Sequence, residues 1–430
     1  MPSRDQWPIV PLGTLAEFRN GVNYNKSNFG TGIKVIGVSD FQDHVRASFD
    51  QLEEINPKGV VRKEHLLRDG DILFVRSNGN RDLIGRSLFV NGLREKVTHS
   101  AFSIRLRFAS SQCHPRFYAY LFRSSLIRQA LSLYGGGTNI SNLNQGILEQ
   151  LQVPLPTIQT QERIASILSA YDDLIENNTR RIKILENMAQ IIYREWFVNF
   201  RFPGHEKVRM VESELGLIPQ GWEVERLEEV VEEFIDYRGK TPKKLGGDWS
   251  NMGILALSAL NVKQGRLINL DKAKFVSEEL YDRWMKSELR AGDVLMTSEA
   301  PLGEVYFLPE TRRYCLSQRV FAMRSKCGVL QPSLLFLFLS SSEGQERLNA
   351  RASGTTVLGI RQADLRRILL VRPPLEIQIQ GDLMLRPLLS LIDVMHRKID
   401  NLRTTRDFLL PKLISGEVPV TAAELKEQTA

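Results

Sequence analysis

Residues 161–197 read QERIASILSAYDDLIENNTRRIKILENMAQIIYREWF. Apolar side chains recur at Ile164, Leu168, Tyr171, Ile175, Ile182, Leu185, Ala189, Ile192 and Trp196, in steps of three and four that hold one seam on one helix face. Asn178 is the polar residue in that seam. No proline or glycine interrupts these 37 residues, so the pattern predicts an unbroken helix roughly 55 Å long at 1.5 Å per residue. That exceeds an ordinary globular helix.

The pattern returns at a constant offset of 217 residues: Gln161 maps to Gln378, Leu168 to Leu385, Ile175 to Ile392, Ile182 to Ile399, Leu185 to Leu402 and Ile192 to Leu409. Two seams of this length bury themselves most simply by packing on each other as a coiled coil. Leu168, Ile175, Ile182, Leu185 and Ile192 then face Leu385, Ile392, Ile399, Leu402 and Leu409. Asn178 and its counterpart Met395 fall in the seam, as do Ala189 and Arg406. The alternative is two long core helices, each serving its own domain. A strict long period argues instead for internal duplication.

At 430 residues the chain accommodates two or three domains. With 42% hydrophobic and 25% charged residues it has a globular composition. The longest apolar run, 334–339, is far short of a membrane span, and Met-Pro-Ser-Arg-Asp leads into no apolar stretch. A cytoplasmic protein is expected. Cys113, Cys315 and Cys327 lack both a disulfide framework and zinc-ligand spacing, so no bound metal is expected and the thiols are read as buried or half-buried. Of the net charge of +7, residues 1–155 hold +6, from 19 Lys+Arg against 13 Asp+Glu. The basic excess therefore lies outside the long helices, where a polyanion is gripped.

The chain divides into a mixed strand-and-turn domain at 1–156, a helix at 157–200, an exposed connector at 201–221, a second mixed domain at 222–373, a helix at 374–416 and a tail at 417–430. In the first domain 33–38 and 72–75 read as strands, the latter announced by the turn Arg68-Asp69-Gly70-Asp71. A helix is expected over 115–133, stopped by Gly135-Gly136-Gly137. The second domain answers with Trp222 and Leu227 for Trp7 and Leu12, and with Arg290-Ala-Gly-Asp293 for the turn at 68–71. Gly239-Lys240-Thr241 lacks the first glycine of a phosphate-binding loop, since position 234 is Phe. Neither an adenine-methyltransferase Asn-Pro-Pro-aromatic stretch nor Gly-x-Ser-x-Gly occurs, so no catalysis is expected.

In this order, and duplicated, several motifs resemble the specificity subunit of a type I restriction-modification system. They are Leu215-Gly-Leu-Ile-Pro-Gln-Gly-Trp222, Tyr237-Arg-Gly-Lys-Thr-Pro242, Thr297-Ser-Glu-Ala-Pro-Leu-Gly303 and Ser353-Gly-Thr-Thr-Val357, with Pro154-Leu-Pro156 before Gln161-Glu162. The resemblance spans essentially the whole chain and departs from the family pattern at Gln378-Ile379, where the glutamate seen at 162 is missing. It implies an α+β fold with two target-recognition domains, separated by the two long antiparallel helices and related by a pseudo-twofold. It further implies a non-catalytic reader of a bipartite, asymmetric duplex DNA site, scaffolding two methyltransferase subunits and a restriction/translocase subunit. S-adenosylmethionine, Mg and ATP would be held by those partners and none by this chain.

A DNA reader needs cations and amides for phosphates and side chains matched to base edges. Arg76, Asn78, Asn80 and Arg81 offer the guanine and adenine pairings. Asn23, Tyr24 and Lys26, and Tyr237, Arg238, Lys240, Thr241 and Lys243, place donors on turns beside an aromatic ring. Thr138 and Asn139, and Thr355 and Thr356, follow glycines whose amides can approach phosphate or cap a helix. Ser298 completes the set. Two other classes stay open on the sequence alone: a coiled-coil adaptor holding two protein-binding domains apart, and a self-contained DNA methyltransferase or nuclease. If the helices set the spacer, one heptad inserted after Glu186 is expected to lengthen the tolerated spacer and leave both half-sites unchanged. Mapped methylation sites with unaltered spacing would refute that role.

Overall fold

A computed structural model describes residues 7–41, 45–77, 83–134, 142–354 and 357–420. The first domain contains β1 (Ile9–Pro11), β2 (Ala16–Asn20), β3 (Phe29–Ile36), β4 (Glu53–Ile55), β5 (Ile72–Val75), β6 (Ser87–Phe89), β7 (Val97–His99), β8 (Ser103–Phe108) and β9 (Gln152–Pro154). They form an antiparallel sheet ordered β2-β8-β5-β6, a second sheet β4-β3-β7 and the pair β1-β9.

The hairpin β10 (Met210–Ser213) and β11 (Gly216–Pro219) precedes the second domain. There follow β12 (Glu223–Arg226), β13 (Val231–Ile235), β14 (Ile254–Leu257), β15 (Val262–Lys263), β16 (Arg266–Leu267), β17 (Lys274–Val276), β18 (Val294–Thr297), β19 (Val305–Phe307), β20 (Cys315–Leu316), β21 (Val320–Ser325) and β22 (Leu369–Arg372). The orders β13-β21-β18-β19, β17-β14-β20 and β12-β22 repeat the first domain strand for strand. The β15-β16 ribbon is the addition.

The turns before β5 and β18 are buried ion-pair sites as well as turns. Gly70 and Gly292, at φ +94° and +93°, let the chain reverse. The next residue, Asp71 or Asp293, is 1% exposed. Asp71 accepts from Arg107 Nε and Nη2 at 2.7 and 2.6 Å and from the Arg68 amide at 2.8 Å. Asp293 accepts from Arg324 Nε and Nη2 at 3.0 and 2.8 Å and from the Arg290 amide at 2.8 Å. The bidentate fork satisfies both carboxylate oxygens, as a buried charge requires.

One expected helix is two, Pro115–Arg123 and Ser125–Tyr134, because Ser124 is extended and its hydroxyl donates back to Leu121 O at 2.6 Å. The second copy breaks likewise between Pro332–Ser340 and Ser342–Ala350. Gly344 is required there, since a Cβ would lie 2.0 Å from Phe338 O. The connector is less exposed than its composition suggests: Phe202 and Ile218 are buried, and Trp222 packs on Phe197, Phe200 and Phe202. Cys113 and Cys315 are buried, but Cys327 is exposed, contrary to the reading of all three thiols as covered.

The long helices are Ile158–Tyr193, continued by a π-helical turn Arg194–Val198, and Leu375–Ile414. Two compact units divide them: Met1–Ile175 with Asn401–Ala430, and Glu176–Asp400. In the first, Ile164 and Leu168 share a core with Leu413 and Ile414, while Asp172 pairs with Arg406. In the second, a Cβ on Gly381 would lie 2.6 Å from the Phe197 ring. Early residues of one helix meet late residues of the other in both units, so the packing is antiparallel. Leu168, Ile182, Leu385, Ile392 and Ile399 are buried; Ile175, Leu185, Ile192, Leu402 and Leu409 are half-buried. The seam holds more polar groups than Asn178, since Asp172 is also buried. Beyond Ala189 the buried positions are Tyr193 and Phe197 rather than Ile192 and Trp196. A 3.6-residue turn drifts off a 3.5-residue repeat in that sense.

Gln161 and Gln378, both fully buried, join each long helix to its domain. Gln161 Oε1 accepts from His114 N at 2.8 Å, and Nε2 donates to Gln112 O at 2.9 Å and Pro156 O at 2.8 Å. Gln378 repeats all three, with Gln331 N at 2.9 Å, Val329 O at 2.9 Å and Pro373 O at 2.7 Å. Replacing either by Leu strands one buried amide and two carbonyls. The expected loss is on the order of 3 kcal/mol of stability, read as a lowered urea midpoint. An unchanged midpoint would deny the glutamines this role.

Candidate nucleic-acid interface

The Asp–Arg fork closes one end of the main sheet in each domain. At the other end β2 and β5 finish and β8 begins, and the backbone there is tied by Val22 N donating to His99 O at 2.8 Å and Arg76 N to Phe102 O at 2.8 Å. This corner opens into a cavity of about 630 Å³ walled by Asn23, Tyr24, Phe29, Ser77, Ser100 and Phe102, among others. The corresponding ends of β13, β18 and β21 open into a cavity of about 940 Å³, walled by Asp236, Arg238, Ser298, Glu299, Gln318, Arg319, Arg361 and Arg366, among others.

The two linings differ chemically. Phe102 stands where the 217-residue offset places Arg319. In the first corner Phe29 and Phe102 are 48% and 59% exposed, an unusual state for phenylalanine that the sequence did not signal. Tyr24 meets Phe29 edge-on, with ring centroids 6.1 Å apart. In the second corner Arg238 forms a bidentate pair with Asp236 and lies 5.1 Å from the Phe321 ring. Arg319, at φ +62°, reaches Glu299 at 2.9 Å, and Arg366 stacks on Phe234 at 4.2 Å. Each guanidinium is thus aimed by a carboxylate or a ring before any ligand arrives.

The sequence-derived candidates distribute unevenly. Asn23 and Tyr24 line the first cavity; Arg238 and Ser298 line the second, Ser298 with a buried side chain. Lys26 and Lys243 are exposed on short 3₁₀ turns and line neither cavity, and Thr241 is half-buried. Lys240 is turned inward: its Nζ donates to Trp284 O at 2.8 Å and sits 4.4 Å from the Tyr237 ring, while Tyr237 Oη accepts from Ser287 N. Arg76 is half-buried at the end of β5. Asn78, Asn80, Arg81, Thr138, Asn139, Thr355 and Thr356 lie outside the described residues. Sequence reasoning missed Phe29, Phe102, Gln318, Arg319, Arg361 and Arg366. The internal offset, applied beyond the helices, would have paired Phe102 with Arg319. Among the described residues no group of three or more His, Cys, Asp or Glu is placed to hold a metal ion, and no helix is long and apolar enough to cross a membrane.

Residues 4–187 and 219–404 match the profile of the type I restriction modification DNA specificity domain, and the chain belongs to that family. It is 24% identical over 97% of its length, and 94% of the relative's, to a putative type I restriction enzyme MjaX specificity subunit of Methanocaldococcus jannaschii. It is 22% identical, over 96% of its length and 89% of the relative's, to the EcoKI specificity subunit of Escherichia coli K12. The fold resembles that of a type I restriction-modification S subunit from M. genitalium, with a TM-score of 0.64 at 15% identity, covering 96% of this chain and 97% of that one.

His99 anchors the first corner. It is fully buried, with Nδ1 2.9 Å from Ser103 Oγ. Burial, reinforced by the nearby Arg105, lowers its pKa from 6.5 to about 3. The unfolded chain takes up a proton near pH 6.5 and the folded domain does not until about pH 3. This contribution to stability is therefore complete above pH 6.5 and declines as pH falls toward 3, at up to about 1.4 kcal/mol per unit. Comparing urea midpoints at neutral and acid pH, His99→Gln should lose less stability on acidification than the parent. Parallel losses would contradict the assignment.

Proposed function

We propose that this chain is the sequence-reading, non-catalytic subunit of a type I restriction-modification assembly, binding a bipartite and asymmetric DNA site with one corner cavity for each half. The observation that carries this reading is one sheet corner built twice on the same anchors with different linings. A shared scaffold with a guanidinium-rich lining in one copy and an aromatic, amide-bearing lining in the other suits two half-sites of unrelated sequence. Arg319 and Gln318 have the chemistry to pair with guanine and adenine edges; the exposed ammonium groups of Lys26 and Lys243 have the charge to meet phosphates.

The partners are two modification methyltransferase subunits and a restriction/translocase subunit in the cytoplasm. S-adenosylmethionine, Mg and ATP belong to those subunits. Methyl transfer to adenine then requires the base to leave the duplex and enter a partner's site.

Reconstituting the chain with its modification subunits and mapping methylated adenines is expected to return one bipartite site. On that duplex Arg319→Ala should cost roughly 1–3 kcal/mol at a single base pair of one half, whereas Lys26→Ala should weaken all sequences evenly and flatten the salt dependence. An Arg319→Ala loss spread over every sequence, or binding indifferent to salt, would sink the reading.

A further inference from the structure

We infer that the corner cavity of the first recognition domain holds a single nucleobase turned out of the duplex, so that the two half-sites are read by different physical means. The inference rests on the DNA-reading function proposed above. Its first support is the wall of the cavity. Phe29 and Phe102 are two of only three phenylalanines among the described residues that are substantially exposed, the third being Phe408 on the second long helix. Both line this one cavity, with Tyr24 beside them. Exposed rings flanking a concave site cost solvation unless something flat covers them, and a base has a π-face whatever its sequence.

A second, independent support comes from the floor. Ser100 is only 3% exposed, lines the cavity, and its Oγ has no hydrogen-bond partner. At the matching position of the second domain, Ser317 Oγ donates to Leu257 O at 2.7 Å and is satisfied within the protein. A buried hydroxyl unpaired in one copy and closed in the other separates the two corners chemically and leaves one polar group beneath the first cavity unsatisfied by the protein. Asn23 and Ser77, on the rim of the same cavity, add an amide and a further hydroxyl. Aromatic faces with a few converging donors and acceptors are how proteins hold unstacked bases.

The second corner is not built this way. Arg319 replaces Phe102, and its carboxylate-aimed guanidinium suits the edge of a base still in its stack. One copy therefore reads an intact duplex, and the other reads a base taken out of it.

Turning a base out is easier when it is already unpaired. The test uses the chain assembled with its modification subunits, and duplexes of the methylated site in which each base of the first half in turn is kept while its opposite base is changed to a mismatch. One position, other than the methylated adenine, is expected to bind about 10-fold tighter when mismatched. That gain should vanish in Phe29→Ala and in Phe102→Ala, both exposed enough to fold, and persist in Arg319→Ala. If every mismatch weakens binding or leaves it unchanged, or the gain survives both phenylalanine variants, the inference is overturned. A gain lost only in Phe102→Ala also overturns it, indicating a wedge between stacked bases instead of a housed one. Absence of any preference for the methylated site over a scrambled duplex would instead overturn the DNA-reading function itself.

Discussion

Two buried glutamines hold the architecture together. Each stands at the start of a long helix and makes three hydrogen bonds, to one amide and two carbonyls of the segments that enter and leave its domain's helical layer. A glutamine is required because the site needs one acceptor and two donors. A glutamate offers no donor when ionised, and a leucine offers nothing. Because all three partners are backbone groups, the constraint does not depend on side chains elsewhere. The recognition surface can therefore change without loosening the junction to the helix.

The Asp–Arg forks extend the same logic across the sheet. Their net contribution to stability is small for a buried ion pair, because desolvation offsets most of the attraction. Their value is geometric. A carboxylate held by a guanidinium fork and a turn amide fixes where β5 and β18 begin, and so where their far ends deliver Ser77 and Ser298. Rigid anchors at one end permit variable chemistry at the other. This is why Phe102 and Arg319 occupy one structural position while sharing no chemistry.

Much of the architecture was legible because it rests on period and punctuation. The seam spacing, the 217-residue offset, the Gly-Asp turns and Pro115 and Pro332 at helix starts are all local signals. The break at Ser124 was not legible, since serine neither forbids a helix nor announces a hinge. Nor was the slide of the seam from Ile192 to Tyr193, which follows from the pitch of a straight helix. The corners were the least legible part. Tyr24, Ser77 and Phe102 are brought together from three separate turns by strand pairing, and nothing in their spacing predicts it. Lys240 shows the reverse: a lysine in a donor-rich turn that folds back onto a tryptophan carbonyl and a tyrosine ring.

Duplication creates a hazard, because two helices descended from one sequence can also pair with copies of themselves in another chain. The seam contains a device against this. Asp172 and Arg406 are bonded at 2.6 Å, and Tyr120 Oη donates to the same carboxylate at 2.5 Å. At the offset positions the residues are Leu389 in place of Asp172, Ala189 in place of Arg406 and Leu337 in place of Tyr120. These three line a cavity of about 830 Å³ in the other unit. Two first helices pairing in the same register would set Asp172 opposite Ala189, a buried carboxylate facing a methyl group. Removing one partner of a buried pair costs about 3–5 kcal/mol, far more than the intact pair contributes. The ionic pair therefore discriminates more than it stabilises: only the mixed pairing of first helix with second sets a cation against the buried Asp172, whereas Arg406 also has Asp407 on its own helix.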